Sequence, residues 1–262
     1  MKNYFFLLLS LPLLLACGNK ELGQGFNLFT VQQDKELGAQ VAQQIAENPG
    51  EFPILSRMQY PRAYEILYRM RDDILNAGNV RYKDEFDWEF RIIHDDKTLN
   101  AFCTPGGYVY VYTGLIKFLD AEDQLMGVLG HEIAHADFRH STRQMTRMFG
   151  VSVLVSAITG NQEALGQITT AIIGLRFSRN HETEADIGSV HYLCPTEYNA
   201  AGGAEFFRKI EEAGGARQPE FLSSHPSPAN RIETFYNEKI ERGCGGEKKY
   251  EERYQEFINA LP

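Results

Sequence analysis

His131 and His135 lie four residues apart, with Glu132 next to the first, in the stretch Leu129-Gly130-His131-Glu132-Ile133-Ala134-His135. On a helix, four residues advance roughly 400°, so both imidazoles share one face, about one turn apart. That spacing lets the two rings bind one Zn²⁺. Glu132 lies about 100° round the helix and can act as general base on a water held by the metal rather than bind the metal itself. A catalytic zinc takes three protein ligands and keeps one position open. The segment Arg179-Asn180-His181-Glu182-Thr183-Glu184-Ala185-Asp186 offers the third. Glu182 and Asp186 share a helix face, whereas Glu184 points about 200° away from Glu182. One carboxylate of the pair can bind zinc while the other accepts the second N–H of a zinc-bound histidine. This picture selects Glu182 as ligand and Asp186 as orienter. Spacing alone leaves Glu184 open as ligand, its other reading being a solvated carboxylate.

The remaining histidines fit that metal poorly. His140 falls about 180° from His131 on a continuous helix and reads as structural or surface. His181 points away from Glu182, His191 has no evident partner, and His94 reads as a strand-end residue.

The elements that must position these groups follow from periodicity. Leu37, Val41 and Ile45 make one stripe of a helix over Val31 to Glu47; a second helix runs from Pro61 to about Ala77. Residues 88–93 alternate as a strand, and Ala101 to Thr104 and Tyr108 to Tyr112 follow on either side of Pro105-Gly106-Gly107, as a hairpin or meander of about three strands. Asp120 to Asp123 should cap the motif helix, which the pattern carries past His140 to about Met148. The apolar patches 148–158 and 168–177 are too short to span a bilayer and read as core helices, or as a surface hairpin at a membrane or over the cleft. Ser178 to Asn180 caps a helix to about Leu193; helices follow over 200–213, 229–240 and 248–261, with residues 221–228 as a loop.

The chain has 262 residues and a net charge of −9. That balance argues against a nucleic-acid partner, which calls for a basic face. The N-terminus carries Lys2, an apolar run from Phe5 to Leu15 and then Ala16-Cys17-Gly18. This reads as a lipoprotein signal over 1–16, with Cys17 becoming the acylated first residue and residues 17–30 a tether to a single domain over 31–262. Gly18, rather than Asp, is expected to send such a lipoprotein to the outer membrane, facing the periplasm. An exported compartment permits disulfides, and Cys194 and Cys244, each beside turn residues, are the expected pair.

The ordered set of motifs resembles a known family. Asn100-Ala101-Phe102, Pro105-Gly106-Gly107-Tyr108-Val109-Tyr110 and Thr113-Gly114-Leu115 precede His131-Glu132-Ile133-Ala134-His135. Phe177-Ser178-Arg179, Glu182, Ala185-Asp186, His225-Pro226 and Arg231 follow it. Together they are similar to the HtpX and CAAX-prenyl-endopeptidase-like zinc metallopeptidases, peptidase family M48, and to its bacterial periplasmic lipoprotein branch without tetratricopeptide repeats. The resemblance implies an α+β fold, mostly helical and zincin-like, with a small mixed sheet bordering the cleft. It implies one zinc on His131, His135 and Glu182, with Glu132 as general base. It also implies a cleft strand, with Ala101, Phe102, Gly106, Gly107 and Tyr108 as substrate-binding positions that pair with an extended peptide. His225 matches the family's His-Pro histidine, and two roles stay open: donor to the oxyanion, or fourth zinc ligand at rest. Cys103 departs from the small apolar residue expected beside the cleft and reads as a packed thiol rather than a redox-sensitive one. The implied activity is hydrolysis of unfolded or misassembled envelope proteins, with the lipid bilayer as second partner through Cys17. A chaperone, or a lipoprotein with purely structural zinc, is the rival reading.

Overall fold

The computed structural model describes residues 22–212, 220–226 and 230–262. The expected leader and Cys17 lie outside them. Helix α1 (Val31–Ala46) starts where Thr30 and Gln33 cap each other's backbone, and it buries Leu37, Val41 and Ile45. Helix α2 (Pro61–Asn76) starts on Pro61, whose fixed φ suits a first helical position, and buries Ile66, Leu67, Met70 and Ile74.

Strands β1 (Phe90–Ile93), β2 (Ala101–Thr104) and β3 (Tyr108–Tyr112) form a mixed sheet in the order β1-β3-β2. β2 and β3 are an antiparallel hairpin, but β1 runs parallel to β3, so the three do not make a meander. The Tyr-Val alternation gives β3 two different faces. Val109 and Val111 face one core with Leu67, Met70, Leu129 and Ile133. Tyr108, Tyr110 and Tyr112 face a second core with Leu37, Val41, Leu165 and Ile168. β3 lies between the two cores at the middle of the sheet, and β2, also buried on both faces, lies at an edge.

Helix α3 (Thr113–Phe118) leads to α4 (Glu122–Asp137), the motif helix. The expected carboxylates do lie in its first turn, as Glu122 and Asp123, but the N-cap itself is Ala121, with no side-chain bond. Glu122 is instead fully buried, paired with Arg69 at 2.6 Å and with Arg253. Nor does α4 run to Met148. It stops at Asp137, Arg139 adopts φ 56°, and α5 (His140–Met148) starts afresh. A left-handed conformation costs a non-glycine residue roughly 1 kcal/mol or more. The Arg139 guanidinium offsets this by ion-pairing with buried Asp34 and donating to the Phe29 carbonyl.

The two apolar patches become α6 (Val151–Ile158) and α7 (Gln162–Ile173), whose Leu154, Ala157, Ile168 and Ile172 fill the second core. Among the described residues no helix is long and apolar enough to cross a membrane. Helix α8 (Arg179–Leu193) begins at Ser178, whose hydroxyl accepts from the His181 N–H at 3.2 Å. Helix α9 (Gly203–Glu212) follows, and α10 (Glu220–Ser224) stands where a loop was expected. Helices α11 (Arg231–Glu241) and α12 (Glu251–Asn259) end the chain, and a Cys194–Cys244 disulfide ties the end of α8 to the segment after α11.

Two relationships position the site. Helices α4 and α8 lie in close contact because a Cβ on Gly130 would come within 2.7 Å of Ser189 Oγ, and one on Gly188 within 2.8 Å of the Ala134 Cβ. Glycine at both places lets the backbones approach. The stretch 22–30, part of the expected 17–30 tether, lies against α5. Asn27 Nδ2 donates to Thr142 Oγ1 at 2.9 Å, the Leu28 N–H to Thr146 Oγ1 at 3.1 Å, and Phe29 is buried.

Candidate metal centre

His131 and His135 lie in the last two turns of α4, nearer its end than the middle position expected for them. Close α4–α8 packing brings Glu182 from the first turn of α8 to both rings: its oxygens lie 3.5 Å from His131 Nε2 and 3.4 Å from His135 Nε2. His225, at the end of α10, completes the group. Its Nδ1 is 3.3 Å from His131 Nε2 and 3.2 Å from Glu182 Oε1. Helix α10 is held over the site by two backbone bonds, Phe221 N–H to Leu99 O and Phe177 N–H to Ser224 O, both 3.1 Å. The Phe221 ring stacks on His225 at 4.2 Å.

These four buried side chains offer donor atoms that all lie within 4.8 Å of one another and could hold a metal ion. The donor chemistry fits. Tetrahedral bonds of about 2.0–2.2 Å put ligand atoms roughly 3.3–3.6 Å apart, near the separations found. His131 Nδ1 lies 2.9 Å from Asp186 Oδ1. A carboxylate only accepts, so this bond turns the lone pair of Nε2 inward, towards His135 Nε2 at 2.9 Å. Inward-facing lone pairs and a carboxylate, all buried, call for a cation.

Protons compete with a metal ion for these donors. Burial works against a charged His131, but its bonds to Asp186 and Glu182 prevail and raise it to about 9. Burial, followed by the charge of His131, holds His135 well below the usual imidazole range. Burial disfavours an ionised Glu182, yet the charge of His225 and hydrogen bonds from the three histidines keep it well below the usual carboxylate range. Glu132 is fully buried and neither carboxylate oxygen has a hydrogen-bond partner; His225 Nε2 is 3.5 Å from Oε1. A buried carboxylate beside a metal cradle is where a proton acceptor for water would stand.

β2 borders this cradle. Its hairpin bonds include the Tyr112 N–H to Asn100 O at 3.1 Å, so by antiparallel alternation the main-chain groups of Ala101 and Cys103 point away from β3. The Cys103 and Ala101 side chains belong to the same core as α4, and Phe102 turns to the other face, stacked on Tyr110 at 4.7 Å. Gly106 and Gly107 make the hairpin turn at φ 76° and 87°, against the backbone of Lys35 and against Trp88. Tyr108 donates its hydroxyl to Asp87 at 2.8 Å. Buried Cys103 is a packed thiol; burial first, then the neighbouring Glu132 carboxylate, push it well above the usual thiol range.

Comparison with known proteins agrees with this geometry. The family model of Peptidase family M48 matches residues 65–239, which hold His131, Glu132, His135, Glu182 and Asp186. The chain belongs to that family. Metalloprotease LoiP of Escherichia coli is 26% identical over 227 residues, covering 84% of this chain and 85% of the relative. The beta-barrel assembly-enhancing protease of E. coli is 28% identical over 161 residues, covering 55% and 33%. Mitochondrial metalloendopeptidase OMA1 of Schizosaccharomyces pombe is 32% identical over 154 residues, covering 56% and 45%. The chain thus spans under half the length of the latter two relatives.

Other polar groups of this family M48 member escape a reading by spacing. Arg231 is buried and carries Nη1 within 3.2 Å of Glu182 Oε2, besides two bonds to Asp186. Arg231 was visible as a motif position, but nothing in the sequence placed it against these carboxylates. Glu184 is no solvated carboxylate: its side chain is 13% exposed and accepts from His140 and from the Gly23 N–H. His191 does have a partner, Glu238, at 2.6 Å.

Proposed function

We propose that this chain is a zinc-dependent endopeptidase of the bacterial envelope, anchored through acylated Cys17 and acting on unfolded or misassembled envelope proteins. The observation that carries the catalytic part is Glu132, a fully buried carboxylate 3.5 Å from His225 Nε2, set beside a four-donor metal cradle and an edge strand. Two relatives are metallopeptidases by name, and a third is a protease named for enhancing β-barrel assembly. The lipobox reading of Leu14-Leu15-Ala16-Cys17 supports the anchor.

His131, His135 and Glu182 would hold the zinc, with Asp186 fixing the tautomer of His131. The metal supplies Lewis acidity, polarising the scissile carbonyl and lowering the pKa of water towards about 7. Glu132 takes the proton of the attacking water and passes it to the leaving amine. Ala101 and Cys103 offer main-chain groups to an extended peptide, which accounts for binding with modest sequence preference; Phe102, Gly106, Gly107 and Tyr108 shape that strand and its turn. For His225 the short distances to His131 and Glu182 favour the fourth-ligand role at rest. Its departure would open the position the reaction needs.

The test compares purified chain lacking residues 1–17 with its Glu132→Gln variant. Zinc near one per chain in both, with casein cleavage reduced at least about 10²-fold in the variant, is the expected result. Zinc in both and cleavage in neither calls for His225→Ala, which should release activity. No zinc in either sinks the assignment.

A further inference from the structure

A metal-binding imidazole needs a partner on its other nitrogen to fix its tautomer and orientation. His131 has Asp186. His135 has no carboxylate there: its Nδ1 faces His140 Nδ1 at 2.9 Å, and His140 Nε2 faces Glu184 Oε2 at 3.1 Å. The protons in this chain run one way. The Glu184 carboxylate only accepts, so His140 carries its proton on Nε2 and presents a lone pair at Nδ1. His135 must then donate from Nδ1, which leaves its Nε2 lone pair aimed into the cradle.

We propose that His140 and Glu184 are positioning residues for His135, a relay that sets the tautomer and ring angle of the second metal-binding imidazole. The inference rests on reading the cluster as a metal centre. The relay is built rather than incidental. The left-handed turn at Arg139 is what swings His140 under His135; on an unbroken helix it would face the opposite side. The His140 ring is clamped by His181, stacked at 4.3 Å and 10°, and by the edge of Phe138 at 5.6 Å. Both nitrogens of His181 lack hydrogen-bond partners, so it acts as a flat plate. Glu184 is fixed in turn from the N-terminal strap, by the Gly23 N–H at 3.2 Å, and by Arg143 Nη1 at 3.5 Å. Arg143 itself donates to the Gln24 carbonyl, and a Cβ on Gly25 would push its guanidinium aside. The segment nearest the proposed anchor thus closes the far end of a relay that ends on a metal ligand.

The experiment measures metal binding rather than turnover. Wild type, His140→Phe, Glu184→Ala and Glu184→Gln are titrated with Zn²⁺ against a chelator and loaded with Co²⁺ for visible spectra; thermal midpoints are taken without metal. His140→Phe keeps the stacked ring and removes both nitrogens. Glu184→Gln keeps an acceptor for His140. The relay predicts a zinc Kd raised about 10- to 100-fold in His140→Phe and Glu184→Ala, with altered cobalt bands and a smaller change in Glu184→Gln. Variants that melt lower yet bind zinc and colour cobalt like wild type would show a merely structural role and overturn the proposal. If His140→Phe does not fold, the two Glu184 variants decide by the same readings. Wild type that binds neither metal would fail one step earlier, at the metal centre itself, and take the relay with it.

Discussion

Arg231 grips Asp186 with two hydrogen bonds, Nε to Oδ2 at 2.8 Å and Nη2 to Oδ1 at 2.6 Å, and both side chains are buried. The guanidinium also lies over the Phe207 ring at 4.0 Å. Asp186 passes this order on to His131, so α11, α8 and α4 meet in one charge-assisted chain. Breaking a buried ion pair from one side leaves an uncompensated charge. Arg231→Met should therefore lower unfolding stability by about 3–5 kcal/mol in urea titrations at neutral pH. Arg231→Lys should recover little, because an ammonium lacks the planar fork. A loss below about 1 kcal/mol for Arg231→Met would show that the pair behaves like an exposed one.

Cys103 sits beside Glu132 on the edge strand, buried and held protonated. A thiol in that state is a poor nucleophile. Native protein treated with iodoacetamide at pH 8 should stay unmodified at Cys103 and become fully alkylated in denaturant, as read by mass spectrometry. Rapid native alkylation would mean that the strand opens readily.

The Cys194–Cys244 bridge closes a separation of 50 residues that contains α9, α10 and α11. Chain-entropy reasoning puts its contribution at up to about 4 kcal/mol. Reduction, or the Cys194→Ala/Cys244→Ala double variant, should lower the thermal midpoint while leaving the four donors of the metal cradle intact. An unchanged midpoint would show that α11 and α12 hold the end of the chain without it.

Asp123 supplies a pH test. Burial raises its carboxyl to about 6, with Asn199 Nδ2 donating at 3.1 Å as a partial offset. The folded state therefore keeps this proton up to about 6, whereas the unfolded chain releases it near 3.8. Between those values the folded state binds more protons, so stability is full below the window and falls as pH rises through it. Asp123→Asn removes the titration. Relative to wild type it should gain stability between pH 4 and 7, on the order of 2–3 kcal/mol, measured by unfolding at several pH values. Parallel curves for the two proteins would contradict the burial of this group.

Much of the site was legible from spacing because helices convert spacing directly into direction. His131 and His135 share a face, and so do Glu182 and Asp186, wherever the two helices are placed. The capping hydroxyl of Ser178 marked the start of α8 for the same local reason. Tyr108 to Tyr112 illustrates both reach and limit. Its alternation shows a strand with two different faces, yet which neighbour it pairs with, and that β1 runs parallel to it, depends on how two cores share the sheet.

What the chain alone determined is therefore the chemistry: which residue types occur, and which of them point the same way within one element. What the tertiary structure decided is every relationship that crosses elements. Arg139 is an ordinary helical residue by type, and its bonds to Asp34 and Phe29 from the far N-terminal side help make its left-handed turn tolerable. That turn moves His140 from the wrong side of a helix to the back of His135. Glu184 looked solvated until the strap was laid over it. A local pattern carries no information about a charge 40 or 100 residues away, because packing, not periodicity, chooses the partner of a buried polar group.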